Sequence, residues 1–128
     1  MSIRIVRLGT PRHPDEGVRI GTVRRPPRGV PKSEHAARDY YDTWLPELAP
    51  SPELMKQGKS VESQKGWDAF EKKYRSEMAV PEKRRLLDLL TTLSHSTQFS
   101  VGCYCEVESR CHRSLLRELL LERGAEVI

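Results

Sequence analysis

The sequence has no apolar run approaching the roughly 18 residues that a membrane-spanning helix needs, which excludes that class of protein. Aromatic side chains are only 6% of the chain, and no nucleic-acid-binding signature appears. The opening MSIRIVRLGT lacks the apolar centre of a signal peptide. Cysteine is scarce as well. There are three, an odd number, and with no export signal the expectation is a reducing cytoplasm and free thiols. Internal repeats and low-complexity tails are missing. Apolar residues make up 37% and charged residues 31%, so a polar, soluble chain with a modest core is expected.

What is present starts with length and charge. At 128 residues the chain is read as one domain, 1–128. The net charge is +4, and much of the excess is arginine near the N-terminus: Arg4, Arg7, Arg12, Arg19, Arg24, Arg25 and Arg28. Such a cluster attracts nucleic acid or an acidic small ligand. Its ordinary reading is a solvated basic face.

Ile3–Leu8 alternates apolar and basic residues and reads as a first strand. Val18–Val23 reads as a second. The following RRPPRGVPKS cannot be regular structure, because Pro26 and Pro27 lack donors and restrict their neighbours. A short strand is expected at Tyr40–Leu45, closed by Pro46. A one-turn helix is expected to open at Pro52 or Glu53, before a loop at Gly58–Ser60. Ser63 is placed as the N-cap of a helix to about Met78, with Trp67, Phe70, Tyr74 and Met78 inward. Pro81 opens the next helix, whose buried stripe is Leu86, Leu87, Leu90 and Leu93. Ala125–Ile128 reads as a terminal strand. His13, His35 and His95 are read as solvated loop residues, and Trp44 as core. Strands alternating with helices predict an α/β fold: a mainly parallel sheet of four or five strands, flanked by helices.

The stretch Phe99–Arg123 organises the rest. It reads as a buried strand, a polar loop and an amphipathic helix with Leu115, Leu116, Leu119 and Leu120 on one face. Cys103, Cys105 and Cys111 lie between strand and helix, and His112 and Arg113 fall in the first helical turn. Loops leaving the C-terminal ends of parallel strands are where open α/β sheets place ligands. Helix N-termini attract anions, and an arginine there adds a planar charged donor. A cysteine near a helix N-terminus and a cation has a depressed pKa and is nucleophilic. The expected pocket therefore has Arg24, Arg28 and Arg113 gripping a phosphate, sulfate or nucleotide phosphate, with Glu106 and Ser114 beside them. Cys105 and Cys111 are the reactive thiols, and His112 is an auxiliary donor or base. Counted from Cys105, the phosphatase spacing, a cysteine six residues before an arginine, is absent, since Arg110 lies five residues on and Arg113 eight. Two alternatives stand beside this reading. One is a basic nucleic-acid-binding or interaction module. The other is a small metalloprotein using Cys103, Cys105, Cys111 and His112, although zinc motifs usually pair their ligands in two knuckles. The leading reading needs no cofactor.

The segment GCYCEVESRCHRSLLRELLLERGAEVI resembles the signature of the bacterial domain-of-unknown-function 488 family: a strand, a Cys-x-Glu-like step, a Cys-His-Arg triplet, a helix and a final strand. Cys105, Glu106, Cys111, His112 and Arg113 occupy those positions. Thr22-Val23-Arg24, followed by Pro26, Pro27, Arg28 and Gly29, resembles the family's Asp-Val-Arg step and its proline–arginine loop, with Thr22 in place of the aspartate. The Leu45–Leu48 run fits too, and the N-terminal segment resembles the shorter, YeaO-like branch. The resemblance implies an outline similar to rhodaneses and phosphatases. It implies no assigned chemistry, since fold-level likeness does not carry function.

Overall fold

Alternation in the first residues builds strand β1 (Ile3–Arg7), and the second apolar run builds β2 (Val18–Gly21) in a computed structural model that describes all of residues 1–128. A two-residue β3 (Thr43–Trp44) follows, then helices α1 (Pro52–Lys59), α2 (Gln64–Met78) and α3 (Pro81–Ser94), strand β4 (Phe99–Cys103) and helix α4 (His112–Glu122). The sheet order is β1-β4-β2-β3, and every pairing is parallel. Parallel strands need crossovers, and the three helices before β4 form the long one. The last residues add a single parallel bridge, Val127 to Ile3 on the outer side of β1, where a terminal strand was expected. The fold is α/β, with a parallel sheet flanked by helices.

β4 is the central strand in space, and all five of its residues are buried. A strand covered on both faces reads as a continuous small or apolar run, as FSVGC does. Phe99 and Val101 join Ile3 of β1 to a cluster filled by Leu54 of α1, Trp67, Phe70, Tyr74 and Met78 of α2, Leu87 and Leu90 of α3, and Leu115, Leu116, Leu119 and Leu120 of α4. Gly102 is required for the close packing of β1 on β4: a Cβ there would stand 2.7 Å from the Val6 carbonyl oxygen. The helices start where their caps dictate. Ser51 Oγ accepts from Leu54 N, and Ser63 Oγ accepts from Gly66 N. Pro81 stands at the first turn of α3.

Several expectations change. α1 runs for eight residues, because its cap and Pro52 launch a full helix rather than one turn. The strand expected at Tyr40–Leu45 shrinks to Thr43–Trp44. Asp39 adopts a positive φ of 62°, and Tyr40 N bonds back to His35 O, so a compact turn uses the backbone that a longer strand would need. Trp44 is 43% exposed rather than core, and its indole Nε1 donates to Val23 O at 2.7 Å. His35 is buried rather than solvated, since Tyr41 packs edge-on against its ring and Nε2 meets Val30 O at 3.1 Å.

The N-terminal arginines are not one solvated face. Arg19 alternates with Ile20, so it lies on the opposite side of β2, and it is 1% exposed. Its guanidinium grips Glu16 with two hydrogen bonds of 2.9 and 3.1 Å and donates to the carbonyls of Thr10 and Asp39. Arg12 bridges Asp39 and Asp42. Burial alone would raise the Asp42 carboxyl. The hydrogen bonds from Arg12 and from the Arg19 amide, with the charges of both arginines, outweigh it and hold the group below its ordinary 3.8.

Glu16→Ala is expected to lower stability by about 3 kcal/mol in urea denaturation, because it strands a buried charge. A loss below about 1 kcal/mol would mean that the Thr10 and Asp39 carbonyls satisfy Arg19 without a counter-ion. A depressed folded-state pKa gives a contribution that is complete above the unfolded value and fades as pH falls through the folded one. Asp42→Asn is therefore expected to flatten the acid limb of stability below the ordinary 3.8 and to leave the neutral-pH slope unchanged. An unchanged acid limb would refute this.

Candidate functional site

β4 ends at Cys103, and hydrogen bonds from both neighbouring strands fix that end. Leu8 N donates to Cys103 O at 2.8 Å from the β1 side. Thr22 N and Thr22 Oγ1 both donate to Gly102 O at 3.0 Å from the β2 side. The chain then turns out through Tyr104 and Cys105 and returns by a short 3-10 turn at Glu108–Arg110 to Cys111, the N-cap position of α4. Glu108 anchors the return, holding the Arg117 guanidinium at 2.9 and 3.0 Å.

This path gathers the three thiols. Cys111 Sγ donates to Cys103 Sγ at 3.1 Å, and Cys103 Sγ donates to Cys105 Sγ at 3.5 Å. All three are free, with Cys103 and Cys111 buried and Cys105 exposed. The chain of thiol donors runs outward. It therefore leaves one shared negative charge best placed on Cys105, whose thiol is held far below the usual range by hydrogen bonds from Cys103 and Cys111, with Arg113 adding its charge. Hydrogen bonding within the cluster, followed by burial, raises Cys103 and Cys111.

His112 is buried, with Nε2 2.7 Å from the Thr22 carbonyl oxygen. A carbonyl only accepts, so Nε2 carries the proton and the Nδ1 lone pair faces Cys111 Sγ, 3.9 Å away. Burial holds the imidazole below its usual range, and the charges of Arg113 and Arg24 push the same way, so the ring is neutral. Cys103, Cys111 and His112 bring their ligand atoms within 4.8 Å of one another.

Arg113 follows in the first turn of α4 and is 4% exposed. Its Nε is buried without a hydrogen-bond partner, and it takes part in none of the ion pairs. No side chain caps the α4 N-terminus, so its free N–H groups add to that positive end.

A family model described as the active DUF488-N3 subclade, DUF488-N3a, matches residues 3–124. The chain belongs to the DUF488 family. No curated protein and no solved structure matches it.

In this DUF488 chain the loops after β2 and β4 converge, tied by Tyr104 Oη donating to Arg25 O at 2.9 Å. The expected site residues take different places around that junction. Cys103, Cys105, Cys111, His112 and Arg113 form one group. Arg24 reaches His112 by charge but donates its Nε and Nη2 to the carbonyls of Pro50 and Ala49, both at 3.1 Å. Arg28 is exposed on the proline loop. Glu106 is exposed and pairs with Arg7 at 3.6 Å. Ser114 Oγ donates to Cys111 O at 2.8 Å, which closes the first turn of α4. Thr22, whose carbonyl seats His112, is a site residue that sequence reasoning had taken only as a departure from the DUF488 aspartate. Tyr74 packs its ring 5.8 Å from His112 and is likewise part of the wall. Its spacing on α2 marked it as core and gave no sign of the second role. A separate groove of about 330 Å³ beside β1, lined by Arg4, Arg7, His13 and Ile128 among others, shares no residue with the thiol cluster.

Exposure and thiolate character coincide at Cys105, which sets the order of reaction with an alkylating agent. On the reduced native protein, iodoacetamide followed by peptide mass mapping is expected to label Cys105 first. Cys103 and Cys111 are expected to react only on unfolding. Equal labelling of all three would show that the cluster opens in solution.

Proposed function

We propose that this DUF488 chain binds a small oxyanion, such as phosphate, sulfate or the phosphate of a nucleotide, over the first turn of α4. Arg113 is the gripping cation and Cys105 the reactive thiol beside it. The observation that carries the reading is Arg113 itself. A buried charge is ordinarily paired, and this one has an orphaned Nε and no carboxylate partner. A bound oxyanion supplies the missing acceptor and also meets the uncapped N–H groups of α4. The positive charge of Arg24 strengthens the field from the other loop, although two of its donors are held by Pro50 and Ala49.

The subclade's description carries the word active and names no reaction. A thiolate next to an oxyanion grip suits transfer of a group to or from sulfur. His112 is poorly set as a base for Cys105, because its Nε2 is committed to Thr22 and its Nδ1 faces Cys111. Cys105 therefore relies on the neighbouring thiols and on Arg113 for its charge.

The test is calorimetric titration of inorganic phosphate, sulfate and a nucleoside monophosphate into wild type and Arg113→Met. A charge-assisted hydrogen bond contributes about 1.5–3 kcal/mol, so the variant is expected to bind at least about 10-fold more weakly. Because the substitution removes a buried unpaired charge, its anion-free stability is expected to be equal to or above that of wild type. Equal affinity in the two proteins would refute the reading. So would a variant destabilised by several kcal/mol, since Arg113 would then be a structural residue.

A further inference from the structure

The thiol cluster has a feature that the oxyanion reading leaves unused. Two of its sulfurs and one imidazole nitrogen face one another in a buried space behind Cys105. Cys103 Sγ and Cys111 Sγ are 3.1 Å apart, and the Nδ1 of His112 lies 3.9 Å from Cys111 Sγ. We infer that Cys103, Cys111 and His112 hold a thiophilic divalent cation of the zinc class.

Three observations support this. The first is size. Around a tetrahedral zinc, ligand distances of about 2.3 Å to sulfur and 2.0–2.1 Å to nitrogen put two sulfurs roughly 3.8 Å apart and a sulfur and a nitrogen roughly 3.6 Å apart. The sulfur pair must open by several tenths of an ångström and the sulfur–nitrogen pair must close slightly. All the ligand atoms already lie within 4.8 Å of one another, so the adjustment required is local to these side chains.

The second is the histidine. Its Nε2–H is spent on the Thr22 carbonyl, which fixes the tautomer and turns an unprotonated Nδ1 toward the thiols. Metal-binding histidines are oriented in this way, with the far nitrogen donating to a carbonyl or carboxylate. That Nδ1 has no conventional donor, only a long contact to sulfur.

The third is the mixture of ligands. Thiolate with imidazole is the set that suits zinc. Binding releases two thiol protons to solvent, one each from Cys103 and Cys111, and the imidazole enters neutral. With two thiolates the dication is neutralised. Cys105, which lies on the exposed side and is not among the residues whose ligand atoms all fall within 4.8 Å of one another, is outside the set. The inference stands apart from the oxyanion reading and does not require it.

The test is metal content by elemental mass spectrometry on full-length protein purified without chelator or affinity metal, followed by stripping and titration with zinc under reducing conditions. About one zinc per chain is expected, in wild type, Cys105→Ser and Arg113→Met alike. Cys103→Ser, Cys111→Ser and His112→Ala are each expected to lose it. Those three side chains are buried, so wild type loaded with cobalt(II) provides a reading independent of folding in the variants. Thiolate-to-metal charge-transfer absorption and the intense visible bands of tetrahedral cobalt are expected. Failure of wild type to take up either metal would overturn the inference. So would a Cys103–Cys111 disulfide in freshly isolated protein, or loss of metal from Cys105→Ser as complete as from Cys103→Ser. Retention of metal by Arg113→Met with loss of phosphate binding would separate the two sites. Phosphate binding by a wild type that takes up no metal would leave the oxyanion site standing alone.

Discussion

Everything at the candidate site depends on the C-terminal end of β4 being held from both sides. A strand at a sheet edge leaves half its backbone groups to solvent or to loops. β4 has β1 on one flank and β2 on the other, and the ladder continues past its last paired residues through Leu8 N to Cys103 O and Thr22 N to Gly102 O. Cys103 is therefore a fixed point. The same residue that completes the ladder from β2, Thr22, presents its carbonyl to His112 and so fixes the start of α4 against the sheet. The residue that follows β2 thus contributes to both walls of the thiol cluster. Gly102 makes the arrangement possible on the β1 side, where a side chain would strike the Val6 carbonyl.

The charges divide by depth. On the far side of β2, Arg19 is as buried as Arg113, yet its guanidinium is saturated by Glu16 and two carbonyls. The chain can satisfy a buried arginine when the arginine is structural. Arg113, in the same small protein, has been left with an unpaired Nε in a position that costs free energy in isolation. The contrast between these two residues is stronger evidence than either alone. It also explains why a count of basic residues misleads: Arg12, Arg19 and Arg24 are engaged internally, so the formal excess of positive charge overstates what the N-terminal half offers to a polyanion.

The sequence made the helices and the parallel sheet legible because their signals are local. The cap at Ser63, Pro81 at a first turn and the leucine spacing of α4 act over a few residues. The loop that carries the thiols was legible as well, through the strand, cysteine and helix order of residues 99–123. Contacts between distant segments were not. Nothing near Glu16 indicates that Arg19 folds back over β2 to meet it together with the carbonyls of Thr10 and Asp39. His35 and Trp44 exchanged places relative to expectation because a positive-φ turn at Asp39 brings Tyr41 inward and leaves Trp44 at the two-residue edge strand. The role of Thr22 was hidden for another reason. It acts through its backbone carbonyl, and a side-chain motif carries no record of that.

Charge bookkeeping links the two proposed uses of the site. Two thiolates and a neutral imidazole cancel a dication, so a loaded Cys103–Cys111–His112 centre adds no net charge beside Arg113. The Arg113 Nε then still lacks a hydrogen-bond acceptor, and the requirement for one survives metal binding. Had Cys105 been a fourth thiolate ligand, the centre would be singly negative. Exposure of Cys105 and its place at the outer end of the thiol chain keep it out of that role. A buried ion behind, an exposed thiol in front and an unpaired arginine at the helix start therefore form a consistent set. In that set Cys105 loses the thiol donors of Cys103 and Cys111 and keeps the charge of Arg113, and a bound anion would meet the side of the cluster that solvent can reach.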